Sequence, residues 1–242
     1  GVGARAAVEL RGNGNFVVAA PDWDNGAVSN AGAVTWMSGA SPTTGAVSAA
    51  NSLVGSVAST RVGADGVVPL DNGNYLVVSR TWSDSGVVVN KGAVTWGHGG
   101  TGVSGAVSSA NSLVGVSMDD GIGLSVQKLH NGHYVVVNPL WNGQSSLSAE
   151  FNDWGAVTWG NANTGTTGLT GPANSLVGRK QNDMVGQHVT PLSNGDYVVA
   201  SPMWDQPVTG TNDVGAVTLG RGTGGTVGQV DLGNSLVGEA VR

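Results

Sequence analysis

The stretch Asn51-Ser52-Leu53-Val54-Gly55 returns at Asn111, Asn174 and Asn234, at intervals of 111 − 51 = 60, 174 − 111 = 63 and 234 − 174 = 60 residues. Working upstream, Gly-Ala-Val-Thr begins at Gly32, Gly92, Gly155 and Gly215, at the same intervals. Earlier still, Asn-Gly recurs at Asn13-Gly14, Asn72-Gly73, Asn131-Gly132 and Asn194-Gly195. Landmarks in fixed order and at fixed spacing define four tandem copies, 1–58, 59–118, 119–181 and 182–242.

Each copy reads as four short strands. The first ends at Val8-Glu9-Leu10, Val68-Pro69-Leu70, Gln127-Lys128-Leu129 or Thr190-Pro191-Leu192. The Asn-Gly pair that follows predicts a two-residue type I′ hairpin, which needs two positive φ values. The second strand opens on an aromatic: Phe16-Val17-Val18, Tyr75-Leu76-Val77-Val78, Tyr134-Val135-Val136-Val137 and Tyr197-Val198-Val199. Such unbroken apolar runs belong to strands covered on both faces. The third strand is Gly-Ala-Val-Thr with one large residue, and the fourth is expected in the segment leading into Asn-Ser-Leu-Val-Gly. Between strands two and three the spacing varies, as a surface loop allows. From the aromatic to the large residue it is 36 − 16 = 20, 96 − 75 = 21, 159 − 134 = 25 and 219 − 197 = 22.

Four antiparallel strands in about 60 residues is the pattern of a propeller blade. The expected fold is therefore all-β, a β-propeller of four four-stranded repeats forming one domain. A β-solenoid and a pair of stacked sandwiches are the competing architectures.

Composition supports short strands and tight turns. The chain of 242 residues has 40% hydrophobic and 11% charged residues, with 41 Gly and 8 Pro. Its net charge is −6 and its 10 basic residues are scattered, which excludes nucleic acid as a partner. No run of 18 apolar residues is present, so membrane insertion is not expected. Cysteine is absent, which removes disulfides and thiolate metal sites. Low charge with abundant Gly, Ser, Thr and Asn points to a secreted or cell-surface protein, bacterial in style. The opening Gly1-Val2-Gly3 carries no Met and suits a processed chain or an excised piece.

Val185-Gly186, Val189, Leu192, Gly195, Tyr197-Val198-Val199, Pro202, Asp205 and Gly215-Ala216-Val217 resemble the FG-GAP repeat of integrin-α-type propellers. Val62-Gly63, Val68, Leu70, Gly73 and Gly92-Ala93-Val94 repeat the pattern. The chain is also similar to tandem repeats of large bacterial surface proteins. The resemblance implies a propeller, commonly of seven blades, used for adhesion or ligand binding. Its calcium loop would fall between the first two strands. Here that turn is only Asp71-Asn72-Gly73 or Ser193-Asn194-Gly195, too short to wrap an ion with six to eight oxygens. No metal or cofactor is expected, and Asp119-Asp120 and Asp183 read as solvated turn acids.

The Trp residues fall into two classes. Trp36, Trp96 and Trp159 end strand three, where the fourth copy has Leu219; a position that accepts Leu is a packing position. Trp23, Trp82, Trp141 and Trp204 follow strand two in every copy, each followed directly or one residue later by Asp24, Asp84, Asn142 or Asp205. These eight residues are the candidate ligand site, because an indole face beside an Asp or Asn suits a sugar. A wedge between blades, with the indole N–H bonded to adjacent backbone, explains the recurrence equally well. Trp154 occurs once and anchors the third loop. Catalysis is not expected: His98, His130, His133 and His188 do not recur, and the one alternative is a carboxylate pair drawn from Glu150, Asp153 and Asp213.

Three functions follow. The first is a non-catalytic binding or adhesion module taking a glycan, with avidity from repetition. The second is a structural spacer or protein-docking repeat, and the third a glycoside hydrolase or lyase. Closure stays open among a lone four-bladed ring, a homodimer and a longer array.

Overall fold

A computed structural model describes residues 6–12, 14–41, 43–143, 152–207 and 210–239. The first repeat supplies β1 (Ala6–Glu9), β2 (Phe16–Ala20), β3 (Ala33–Met37) and β4 (Ser52–Val54). The second supplies β5 (Gly66–Pro69), β6 (Tyr75–Ser79), β7 (Ala93–Gly97), β8 (Gly105–Ala106) and β9 (Ser112–Val114). The third gives β10 (Ser125–Lys128), β11 (Tyr134–Asn138), β12 (Ala156–Gly160), β13 (Gly168–Leu169) and β14 (Leu176–Val177). The fourth gives β15 (His188–Pro191), β16 (Tyr197–Ser201), β17 (Ala216–Gly220), β18 (Gly228–Gln229) and β19 (Ser235–Val237). The described residues are all-β, in four sheets of four or five strands. As the apolar runs require, β6 and β11 are buried along their whole length.

The hairpin between strands one and two differs from the two-residue turn expected of Asn-Gly. Pro69 pairs with Tyr75, Leu70 donates to the Asn74 carbonyl (2.8 Å), and Gly73 donates back to Leu70 (3.2 Å). Only the Gly takes a positive φ (85° at Gly73, 86° at Gly132, 90° at Gly195), while Asn72, Asn131 and Asn194 do not. The Asn is used differently: its side-chain oxygen receives the N–H two residues on, at Asn74, His133 and Asp196 (3.1, 3.1 and 3.0 Å). That Asx turn fixes the loop without asking an L-residue to enter the left-handed region.

The fourth strand also lies elsewhere than expected. It is Ser-Leu-Val of the pentapeptide itself, and the Thr of Gly-Ala-Val-Thr explains why. Thr35–Ser52, Thr95–Ser112, Thr158–Ser175 and Thr218–Ser235 share hydroxyl hydrogen bonds of 2.6–2.7 Å, and all but the last are buried. The Asn before each Ser closes the preceding turn, Asn51 Oδ1 accepting from Ser48 N and Asn51 Nδ2 donating to Ala46 O, both 2.9 Å. The same bonds recur at Asn111, Asn174 and Asn234. Two motifs 17 residues apart within each copy are thus partners across one strand pair.

The segment leading into the pentapeptide serves the preceding repeat. The chain forms two compact units, Gly1–Val114 with Ala162–Gly168, and Gly115–Asn161 with Leu169–Arg242. In the first, β8 lies parallel to β4, placing Gly105 opposite Leu53 and Ala106 opposite Val54, and Val107 donates to Val54 (3.1 Å). In the second, β18 lies parallel to β14, placing Gly228 opposite Leu176 and Gln229 opposite Val177, and Val230 donates to Val177 (3.0 Å). A repeat's sheet is therefore completed by its successor. Each unit has its own core, around Val34, Leu53 and Val77 in the first and Val157, Leu176 and Val199 in the second.

Candidate functional site

The candidate site is the turn after strand two, and the Trp backbone builds it. Trp82 N donates to Ser79 O (3.1 Å) and Trp82 O receives Gly92 N (3.0 Å), so one residue holds both ends of the variable loop. Trp23, Trp141 and Trp204 make the same pair of bonds. Within the loop the Asp or Asn acts as a staple. Asp24 accepts from Asn30 N (2.7 Å), Asn142 from Asn152 N (2.9 Å), and Asp205 from Asp213 N (2.8 Å). Asp84 pairs with Lys91 Nζ at 2.9 Å. Asn30, Asn90, Asp153 and Asp213, two residues before each strand-three Gly, all sit at positive φ (48°, 53°, 42° and 53°). Asn and Asp tolerate that region best after Gly, and this is why those types recur there.

The side chains divide. Trp82, Trp141 and Trp204 are fully buried, and their indole nitrogens have no hydrogen-bond partner among the described residues. A ring without an exposed face cannot lie against a sugar, so in this structure these three rings pack. Trp23 is half-buried, beside an exposed Asp24. Asn142 is buried, Asp84 exposed and Asp205 partly covered. Each Trp is brought beside its own Asp or Asn by the turn. Trp141 also meets Trp154 edge to face, with centroids 6.3 Å apart, and Trp154 in turn covers Gly143.

The other Trp class holds successive repeats together. In the first unit Trp36 Nε1 donates to Gly99 O and Trp96 Nε1 to Ala162 O; in the second Trp159 Nε1 donates to Gly222 O, each at 2.9 Å. These rings are half-buried, Trp36 and Trp159 at the margin of the cores, a more exposed setting than a packing position in the interior. Each lies over a Gly of the next repeat, where an added Cβ would stand 2.5–2.7 Å from the Trp Cβ at Gly102, Gly165 and Gly225. Leu219 carries no side-chain donor and is exposed.

Asp120 and Asp183 are not solvated turn acids. Both are buried: Asp120 accepts from Val116, Ser117 and Asn142 N (2.7, 2.7 and 2.9 Å), and Asp183 from Arg179, Lys180 and Asp205 N (2.7, 2.7 and 3.0 Å). They tie the linker between repeats to the loop that follows strand two. Burial pushes the Asp183 carboxyl above its ordinary range, against the pull of its three N–H donors. Thr60 takes the place in the second repeat, donating to Val57 O (2.7 Å). The signal for this role was the spacing 120 − 60 = 60 and 183 − 120 = 63, which marks them as repeat positions.

Burial raises the Asp153 carboxyl, and Asp213 N is bonded to Asp205. Glu150 lies outside the described residues. His130 Nδ1 is 3.0 Å from Leu192 O, and His133 rests on Trp159 with centroids 4.9 Å apart. Among the described residues no cluster of three or more His, Asp or Glu stands close enough to hold a metal ion. No described helix is long and apolar enough to cross a membrane. A groove of about 540 Å³ lies on the fourth repeat against His188, Ala200, Pro202, Val217 and Leu236.

A family described as "Repeat of unknown function (DUF5650)" matches four times, at residues 10–64, 69–124, 128–187 and 191–242. The chain belongs to this family. The first three DUF5650 matches run past the pentapeptide to the Val-Gly or Ile-Gly pair of the next copy, at Val62-Gly63, Ile122-Gly123 and Val185-Gly186. The family unit therefore contains the junction as well as the sheet. No curated protein matches the chain. Tandem DUF5650 repetition and an all-β fold are what stand; the FG-GAP likeness is one of pattern.

Proposed function

We propose that the chain is a non-catalytic binding module of a secreted or cell-surface protein, its repeats being blades of a β-propeller. The loops between strands two and three are its recognition surface, and its partner is another surface protein. One observation carries this reading. The Trp turn and the two strands beside it recur in every repeat, while the stapled loop between them differs in length and in what it exposes. In the second repeat that loop presents Val87, 71% exposed, and Val89. Exposed valines on a braced loop are poor structural choices and good contacts for an apolar patch on a protein. The blade reading is supported by the antiparallel four-strand order in each repeat.

A glycan is the second reading, and half-buried Trp23 beside exposed Asp24 favours it. Cell binding by the labelled full chain, followed by flow cytometry, separates the two. Protease treatment of the cells, or Val87→Ser with Val89→Ser, abolishes binding to a protein. Periodate treatment, or Trp23→Ala, abolishes binding to a glycan. Failure to bind any cell surface or arrayed glycan would sink both.

A further inference from the structure

We propose that Asn25-Gly26, in the loop after strand two of the first repeat, is a modification site whose Asn deamidates spontaneously in the folded chain, with water as the co-reactant. The modification is independent of what the loops bind.

Asn-Gly is the pair in which Asn is most open to this chemistry, because Gly has no Cβ to crowd the approach of its own amide nitrogen to the Asn side chain. In the reaction Gly26 N attacks Asn25 Cγ. The new C–N bond closes a five-membered succinimide, the bond from Cγ to Nδ2 breaks, and ammonia leaves with the proton from Gly26 N. Water then opens the ring at either carbonyl, giving aspartate or isoaspartate. The step needs an amide nitrogen that is not already donating to another group.

The chain has six Asn-Gly pairs, at Asn13, Asn25, Asn72, Asn131, Asn142 and Asn194, and Asn13 lies outside the described residues. Structure separates Asn25 from the remaining four. At Asn72, Asn131 and Asn194 the following Gly N is committed to the turn, donating to Leu70 O, Leu129 O and Leu192 O (3.2, 3.0 and 2.9 Å). Their side-chain oxygens each receive the N–H two residues on, and their Nδ2 groups donate to Ala162 O, Gly222 O and Asp196 Oδ2 (2.9, 2.8 and 3.1 Å). Asn142 is buried; its Oδ1 accepts from Asn152 N, its Nδ2 donates to Met118 O (3.0 Å), and the Trp154 ring covers Gly143. At the first loop, Asn25 and Val28 exchange both backbone bonds (2.9 and 3.1 Å), leaving Gly26-Ala27 as an exposed two-residue tip. Gly26 N has no acceptor among the described residues, and no atom lies within 4 Å of where a Gly26 Cβ would stand. Only the Asn25 Nδ2 is held, by Gly55 O at 2.9 Å.

That single bond is what the reaction removes. Asn25 Nδ2 ties the loop to Gly55, the last residue of the pentapeptide, whose own N–H donates to Gly32 O (3.0 Å). A carboxylate at position 25 has no donor for Gly55 O and repels it, so the tie is lost. The new charge also lands beside Asp24 and one residue further from Asp22, in the loop that carries the half-buried Trp23. Deamidation therefore loosens the first recognition loop and makes it more acidic, while the other three repeats keep theirs.

The test follows the full-length chain through warm, mildly alkaline incubation, with peptide mapping by mass spectrometry to read aspartate and isoaspartate at each Asn-Gly pair. Freeing the glycine amide at Asn72, Asn131 or Asn194 first requires breaking a turn hydrogen bond, so Asn25 should convert at least about tenfold faster than these three and Asn142. In urea, where the turns are gone, the rates should fall within about threefold of one another. An Asn25→Gln chain keeps the amide but does not readily close the ring, and it should lose the early acidic species on anion exchange. The proposal is overturned if Asn25 is not the fastest site in the folded chain. It is overturned as well if Asn25 leads by the same factor in urea, which would make the preference one of local sequence, or if Asn25→Gln gains the acidic species at the parent rate.

Discussion

Leu176 and Leu236 occupy the same place in the same pentapeptide, pair with the same strand-three Val, and differ completely in exposure. Leu176 faces Val157 on a sheet completed by β18; Leu236 faces Val217 on a sheet that ends at β19. Nothing in Asn-Ser-Leu-Val-Gly distinguishes them. Burial of this Leu and its partner Val is a property of the junction, supplied by the succeeding repeat.

The largest effect should come from the most deeply buried ring of the turn after strand two. Trp204→Ala removes a fully buried ring and should cost about 3–5 kcal/mol in urea denaturation, and Trp23→Ala less than half of that because its ring is half-exposed. Equal losses would mean that Trp23 is covered in solution. Next comes the direct comparison. Leu176→Ala should cost about 2–4 kcal/mol and Leu236→Ala less than about 0.5 kcal/mol at low protein concentration. A large loss at Leu236 in dilute monomer would show that its face is already occupied. The smallest effect sharpens the boundary. Trp159→Leu imports the fourth repeat's residue into the third, losing the bond to Gly222 O, and should cost about 1–3 kcal/mol. Leu219→Trp, at an exposed position, should change stability by less than about 0.5 kcal/mol.

Much of the frame could be read from the residues. Repeat boundaries, the buried second strands, the Gly-Ala-Val-Thr strand and the varying loop all follow from local pattern, because period and apolar runs are local properties. The hairpin was misread because Asn-Gly permits two positive φ values, whereas the register uses one and turns the Asn side chain into a brace. Strand four was displaced because the Thr35–Ser52 bond joins residues 17 apart, and their register shows only when the strands are paired. At the candidate site the Trp and acid positions were visible, but their division was not. Equivalent Trp positions gave one half-buried ring and three buried ones.

The amino-acid order by itself settled the repeat, its length, the β character and the identity of the recurring anchors, since each depends on composition and spacing within one copy. Tertiary structure alone decided which anchors face inward, that a two-residue strand completes the preceding sheet, and that Leu236 is bare while Leu176 is sealed. Those outcomes depend on contacts between different copies, and a repeated sequence says the same thing at every copy whether or not a neighbour is there to cover it.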